Sequence, residues 1–159
     1  MAREDESSER VVAHNRRARH DYTILETVEA GLVLTGTEVK SLRQGKASLA
    51  EAYATVEGHE AWVLQMHIPP YEQGNRWNTD PVRARKLLLH RAEIEKLKAA
   101  VSRKGHTIVP LKLYFARGYA KLLLGVGRGK QTHDKRQTIA ERDARRDMDR
   151  ARRGTARGE

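Results

Sequence analysis

Cysteine is absent from this chain of 159 residues, which excludes disulfides, thiol nucleophiles and zinc held by thiolates. Proline is scarce, with 4 residues, and the aromatics amount to 1 Phe, 2 Trp and 5 Tyr. No apolar run approaches the ~18 residues that a membrane-spanning helix needs. The stretch after Met1 reads Ala2-Arg3-Glu4-Asp5-Glu6-Ser7-Ser8-Glu9 and has no apolar core, so no secretory signal is expected. Together with the missing cysteine this fits a cytoplasmic protein. The most telling shortage lies at the C-terminal end. From Gly129 to Glu159 the only sizeable apolar side chains are Ile139 and Met148. Such a segment buries too little apolar surface to offset its backbone entropy, so it is expected to be disordered alone and to need a partner.

What the chain has in excess is positive charge: 31 Lys and Arg against 21 Asp and Glu, a formal net charge of +10. That balance points to a polyanion, with nucleic acid ahead of an anionic membrane surface. The length suggests one domain plus tails, divided as residues 1–12, 13–127 and 128–159.

The middle of the chain reads as mostly β. Tyr22–Val28 is rich in strand formers, Glu29-Ala30-Gly31 suggests a tight turn or bulge, and Leu32-Val33-Leu34 continues the sheet. Thr37 is a candidate cap for a short helix over Glu38–Arg43, which Gly45 ends. A hairpin follows, Ala52–Val56 and Ala61–Met66, and then a long loop from His67 to Pro81. Leu87-Leu88-Leu89 is a short apolar element, and Ile94, Leu97 and Val101 stand at helical spacing within His90–Val101. The last strands are Thr107–Phe115, where Pro110 suggests a bulge or an edge, and Tyr119–Val126. Five short strands with a helix before the fourth predict a mainly β fold, an OB-type partly open barrel with one or two short helices. A different small barrel or an α+β sheet has the same element order.

Three basic segments stand out. Asn15-Arg16-Arg17-Ala18-Arg19-His20 precedes the first predicted strand, and guanidinium forks bind phosphate oxygens bidentately. Arg83-Ala84-Arg85-Lys86 follows the long loop, where charge either lines a groove for a nucleic-acid backbone or protects a sheet edge. Gly125-Val126-Gly127-Arg128-Gly129-Lys130 mixes glycine with base but lacks the P-loop spacing, so its glycines are read as letting the chain leave the barrel. In the C-terminal tail Arg142, Arg146, Arg150, Arg153 and Arg157 step at helical intervals, and Glu141–Arg145 and Asp149–Arg153 are favourable pairs. This predicts a segment that becomes helical against phosphates; a solvated, solubilising tail has the same composition. Trp77, in the polar stretch Asn75-Arg76-Trp77-Asn78, is a candidate platform for a base.

Catalysis is not expected. The seven histidines are scattered, no metal-ligand spacing occurs among them, and no Gly-x-Ser-x-Gly elbow is present. No cofactor is implied. A basic ribosomal or nucleoid-type protein, or a small nuclease hidden among the histidine and acid pairs, are the competing classes.

Taken together the segments resemble the SsrA-binding protein family, also called small protein B. The match lies in Asn15–Tyr22, Glu29-Ala30-Gly31, Gly36–Lys46, Arg85-Lys86-Leu87-Leu88-Leu89, and Gly129-Lys130 followed by Asp134-Lys135-Arg136. The resemblance implies a non-enzymatic factor of trans-translation on an OB-type barrel. It would bind the tRNA-like domain of transfer-messenger RNA and deliver it to stalled ribosomes, with elongation factor Tu engaged through the charged RNA. It further implies RNA-binding roles at Asn15, Glu29, Gly31 and Leu88, and a place at or beside the RNA for Lys40, Arg43 and Lys46. Arg16, Arg17, Arg19, Arg85, Lys86, Gly129 and Lys130 complete the expected RNA surface. His133, Asp134, Lys135 and Arg136 match the family's decoding-centre segment, with Arg142, Arg146 and Arg150 following in the empty message channel. The chain departs from the family pattern at Gln131 and at Thr79-Asp80.

Overall fold

The computed structural model describes residues 9–129 and Arg146, with the side chains of residues 75–77 left aside. The chain divides into two units, Met1–Gly129 and Lys130–Glu159. In the first, the elements run β1 (Arg10–His14), α1 (Arg16–Asp21), β2 (Tyr22–Leu32), α2 (Gly36–Arg43), β3 (Tyr53–Glu57), β4 (Glu60–Leu64), β5 (Arg85–Leu88), α3 (Arg91–Val101), β6 (His106–Ala116) and β7 (Tyr119–Gly129). The strands form one antiparallel 7-stranded sheet in the order β1-β6-β3-β4-β5-β2-β7, and β6 also pairs with β7. That last pairing bends the sheet into a ring, with β1 on the edge of β6 away from β7, farther along that edge than β3. The ring is closed thinly, because β3 meets β6 only at Ala54↔Ile108. The expected mainly β, partly open barrel with short helices therefore holds.

Several local expectations change. The strand count is seven, because Arg10–His14 pairs with Lys112–Phe115 and Arg85–Leu88 bridges β4 and β2. Ordered chain thus begins before Asn15: of residues 1–12, expected to be disordered, the last three lie in β1, and residues 1–8 lie outside the described residues. The basic run after Asn15 is a helix, not a lead-in. Glu29-Ala30-Gly31 is continuous strand; the irregularity in β2 lies between Ile24 and Glu26. Pro110 does sit beside a bulge, between Pro110 and Lys112. The capping residue of α2 is Thr35 rather than Thr37, and Glu38 Oε1 accepts in return from the Thr35 N–H at 2.9 Å. The loop from His67 to Pro81 contains a 3-10 turn, Glu72–Trp77, and Asn78 closes it with two 2.8 Å hydrogen bonds to the Tyr71 backbone.

The glycines of β7 have a packing role. Gly125 and Gly127 are buried mid-strand, and a Cβ at Gly127 would stand 2.9 Å from the Tyr22 Cβ. They are small so that β2 can lie close, and the strand runs on to Gly129 with Arg128 opposite Thr23 and His106.

Leu87, Leu113, Leu122, Leu124, Val63 and Ile108 form the barrel interior, with Leu42 of α2 and Leu97 of α3 packed on it. One polar group is sealed into the same interior. Arg85 is 0% exposed and Glu38 3% exposed. The Arg85 Nε donates to Glu38 Oε2 at 2.5 Å, and its other nitrogens donate to the Met66, Arg83 and Pro81 carbonyls at 2.6, 3.3 and 3.0 Å. Arg83 donates twice more to Glu38, at 3.2 and 2.5 Å. Burial alone would raise the Glu38 pKa, but the hydrogen bonds from Arg83, the Thr35 N–H and Arg85 hold it below the usual carboxylate range. Burial likewise pulls Arg85 down while Glu38 opposes that shift.

Removing one member of such a group leaves a buried charge unpaired. Glu38→Gln is expected to destabilise the fold by ~3–5 kcal/mol near neutral pH, measured by urea unfolding. Because the folded state holds Glu38 below its ordinary value, this contribution is full above that value. It is lost as the pH falls through the lowered one, so the gap between wild type and Glu38→Gln should narrow on acidification. Gly127→Ala should cost about 1–3 kcal/mol in the same assay by forcing β2 away from β7.

Candidate nucleic-acid interface

The outer face of β6, β7, β2 and β5 carries two cross-strand rows. Directly opposed residues of antiparallel strands share a face, and residues two apart on one strand share it too. Lys112 opposes Leu123, which opposes Glu29. Two residues along, Tyr114 opposes Lys121, Lys121 opposes Gly31, and Gly31 opposes Leu88. The neighbouring inward row, Leu113, Leu122 and Ala30, lies in the core, which fixes the first two rows outside.

Each row has its own chemistry. Gly31 lies beneath Leu88, since a Cβ on Gly31 would be 3.1 Å from the Leu88 Cβ. That close approach leaves Leu88 standing on the surface, 55% exposed, with the exposed Val33 and half-buried Lys86 beside it on the outer face. Lys86 itself reaches Glu60 at 3.4 Å. Glu29 is exposed and takes a hydrogen bond from the Tyr114 hydroxyl, and Lys121 Nζ lies 3.7 Å from its other oxygen. Lys112 Nζ stands 4.6 Å from the Tyr114 ring centre and 3.3 Å from Glu9.

α1 extends this face. An open groove of about 480 Å³ is lined by His14, Arg16, Arg19, Lys112 and Leu123, so the first row continues onto the helix. The structure thereby brings Arg16, Arg19, Glu29, Gly31 and Leu88 onto one surface, with Lys86 at its border. Arg17 points elsewhere, to Asp21 at 3.5 Å and Glu51 at 3.3 Å.

Asn15 is a correction. It is 7% exposed and its side chain is spent inside the protein. Its Oδ1 caps α1 by accepting from the Ala18 N–H at 3.1 Å, and its Nδ2 donates to the Leu49 and Pro110 carbonyls at 3.2 and 2.8 Å. It orients α1, and both of its amide N–H donors are taken inside the protein. Arg85 is corrected for the same reason, since a side chain 0% exposed cannot meet a phosphate.

A second basic patch sits on α2. Glu38, Ser41 and Leu42 face inward, which turns Lys40 and Arg43 outward. Lys40 lies over the Tyr71 ring at 5.6 Å, Arg43 over Phe115 at 5.2 Å, and Arg10 donates to the Arg43 carbonyl at 2.8 Å. Gly45, at φ +75°, turns the chain after α2, and Lys46 follows, exposed. Gly129 is the exposed end of β7. Lys130, His133, Asp134, Lys135, Arg136, Arg142, Arg150 and the Trp77 side chain lie outside the described residues, and Arg146 is helical and exposed.

Lys112, Tyr114 and Lys121 were missed in the sequence. The signal that finds them is the period of two in the final hairpin, which sets Lys112 and Tyr114, and Lys121 and Leu123, on the face opposite the leucines.

These placements separate two kinds of variant. Asn15→Ala should lower stability by about 1–3 kcal/mol, through a lost cap and two buried hydrogen bonds. Arg16→Ala, one residue on, should leave the melting temperature nearly unchanged. Thermal unfolding of the pair distinguishes a positioning residue from a surface contact.

Comparison with known proteins bears on the family and the fold. The family model described as SmpB protein matches residues 12–154. A protein of Acetivibrio thermocellus named SsrA-binding protein is 57% identical over 150 residues, covering 94% of this chain and 96% of the relative. One of Lysinibacillus sphaericus with the same name is 55% identical over 143 residues, covering 90% and 92%. A solved structure described as "tmRNA-SmpB: a journey to the center of the bacterial ribosome" superposes with a TM-score of 0.66 at 52% identity, covering 80% of this chain and 93% of that one. With a barrel of the same kind and a family match over most of its length, the chain belongs to the SmpB protein family.

Proposed function

We propose that this protein binds the tRNA-like domain of transfer-messenger RNA through the outer face of β6, β7, β2 and β5, and delivers that RNA to stalled ribosomes. The observation that carries the reading is the pair of cross-strand rows, in which Lys112, Lys121, Arg16 and Arg19 surround a carboxylate, Glu29, and an apolar step, Gly31 with Leu88. The cations supply attraction to the phosphates. A carboxylate is repelled by phosphate but accepts hydrogen bonds from base amino groups and ribose hydroxyls, so Glu29 contributes orientation. Leu88 offers an apolar surface to an unstacked base. A folded RNA with exposed loops presents all three features together, whereas duplex DNA presents chiefly the first. The names and descriptions of the relatives support the same partner.

The division of labour we propose is the one that the family resemblance implies. Residues up to Gly129 carry the RNA. The Lys130–Glu159 segment engages the ribosome, with His133, Asp134, Lys135 and Arg136 at the decoding centre and Arg142, Arg146 and Arg150 lying as a helix along the empty message channel. Fitting only where message is absent, that helix reports a stalled ribosome. Lys40 and Arg43 on α2, with Lys46 just after it, form a separate contact surface for RNA. Elongation factor Tu joins through the charged RNA, the protein acts in the cytoplasm, and it performs no chemistry of its own.

Binding to transfer-messenger RNA, bulk tRNA and duplex DNA, with and without the residues beyond Gly129, tests this reading. Truncation should leave affinity for transfer-messenger RNA largely intact and abolish tagging on stalled ribosomes. A large loss of affinity on truncation would overturn the division of labour. Equal affinity for all three nucleic acids would instead identify a general basic binder of ribosomal or nucleoid type. Arg16→Ala and Arg19→Ala should each flatten the log–log salt dependence by up to ~0.9 for every phosphate left without its cation. Glu29→Ala should weaken binding without changing that slope.

A further inference from the structure

Tyr114 is the largest aromatic side chain beneath the proposed RNA face, and the RNA-binding role proposed for that face gives it no task. Only 2% of it is exposed, so it makes no appreciable surface of its own. Its ring lies under Lys112, and its hydroxyl reaches from β6 past β7 to Glu29 on β2. Lys121, from the strand between, approaches the other Glu29 oxygen at 3.7 Å. Glu29 is thus held from below by a neutral donor and from the side by a cation, while its side chain remains 49% exposed. An ionised carboxylate has about four acceptor positions, and the Tyr114 hydroxyl occupies one of them, while Lys121 stands at ion-pair and not hydrogen-bond distance. The others are open to solvent in an orientation set by the protein.

We propose that Tyr114 is a positioning residue that holds the Glu29 carboxylate as a fixed acceptor for a hydrogen-bond donor of the RNA. The inference rests on the reading of this face as the RNA interface and deepens it. A glutamate on an exposed strand has several rotamers, and fixing such a side chain at an interface costs ~0.5–1.5 kcal/mol. Tyr114 removes that cost before the RNA arrives. The direction of the hydrogen bond suits the task. Burial, and then the Glu29 carboxylate, raise the Tyr114 pKa above the ordinary phenol range, so the hydroxyl keeps its proton and Glu29 stays the acceptor. The donor that Glu29 receives is an N–H of a base edge or a ribose 2′-hydroxyl, since a phosphate offers none.

The test is a double-mutant cycle on the full chain, with transfer-messenger RNA as the probe and the dissociation constant as the readout. Tyr114→Phe should weaken binding by ~3- to 10-fold, the equivalent of fixing one side chain. In a Glu29→Ala background the same change should have no further effect, and the salt slope should be unchanged in every arm. Thermal unfolding gives the control, because a merely structural role would lower stability and affinity alike in both backgrounds. An equal loss of affinity in the two backgrounds, or none in the wild type while Glu29→Ala weakens binding, overturns the positioning role and leaves the interface standing. No effect of Glu29→Ala itself overturns both. Repeating the cycle with 2′-fluoro RNA identifies the donor. Coupling that persists supports a base amino or imino group, and coupling that vanishes supports a ribose hydroxyl.

Discussion

The fold turns on one buried charge cluster. Glu38 is the third residue of α2, and the guanidinium that meets it comes from the first residue of β5. Those elements lie 47 residues apart in the chain. Between them runs the segment from Met66 to Pro81, whose carbonyls at both ends are also tied to Arg85. A single side chain therefore joins the helix, the strand and the long connection. An apolar replacement could fill the volume, and buried ion pairs are often no more stabilising than such a replacement. What the charges add is direction, because a planar guanidinium with its donors satisfied admits one arrangement of its acceptors. Among the described residues no buried side-chain polar atom lacks a hydrogen-bond partner. The outward aim of Lys40 and Arg43 follows from the inward aim of Glu38 on the same short helix.

The proposed RNA surface depends on a different constraint, the pleat. In β2, β6 and β7 one set of alternate residues fills the barrel, so the other set must face out. This is why a glutamate, two lysines, a glycine and a leucine from four strands come together with no loop between them. Rigid strands carry the proposed contacts, and α1 is locked beside them by Asn15, whose three hydrogen bonds tie the helix to Pro110 and Leu49. Recognition of a folded RNA by shape needs fixed spacing of this kind.

Much of this was legible in the sequence, and the gaps have physical causes. The β3–β4 hairpin, the long final pair and α3 announce themselves by apolar periodicity, and Pro110 marked its bulge. β1 did not, because Arg10–His14 is half polar and becomes a strand only by pairing with β6. Asn15 and Arg85 lie in basic or polar runs whose composition says surface. Their burial is a tertiary fact, set by carbonyls and a carboxylate that come from distant parts of the chain. The family resemblance pointed to Glu29, Gly31 and Leu88, and strand pairing sets the three on one outer face. It could not say that Gly31 matters by letting Leu88 lie across it, nor that Tyr114 stands behind Glu29.

β7 is held on both sides to its last residues, by β2 as far as Tyr22↔Gly129 and by β6 as far as His106↔Arg128. A load along the axis of β7 therefore falls on a strand clamped in two ladders. Inter-strand hydrogen bonds lie across that axis and share such a load, so they are sheared together and not opened one at a time. Mechanically, the barrel is an anchor. Tension along β7 would pass into β2 and β6, the strands that carry Glu29 and Tyr114, and the three would move as one body.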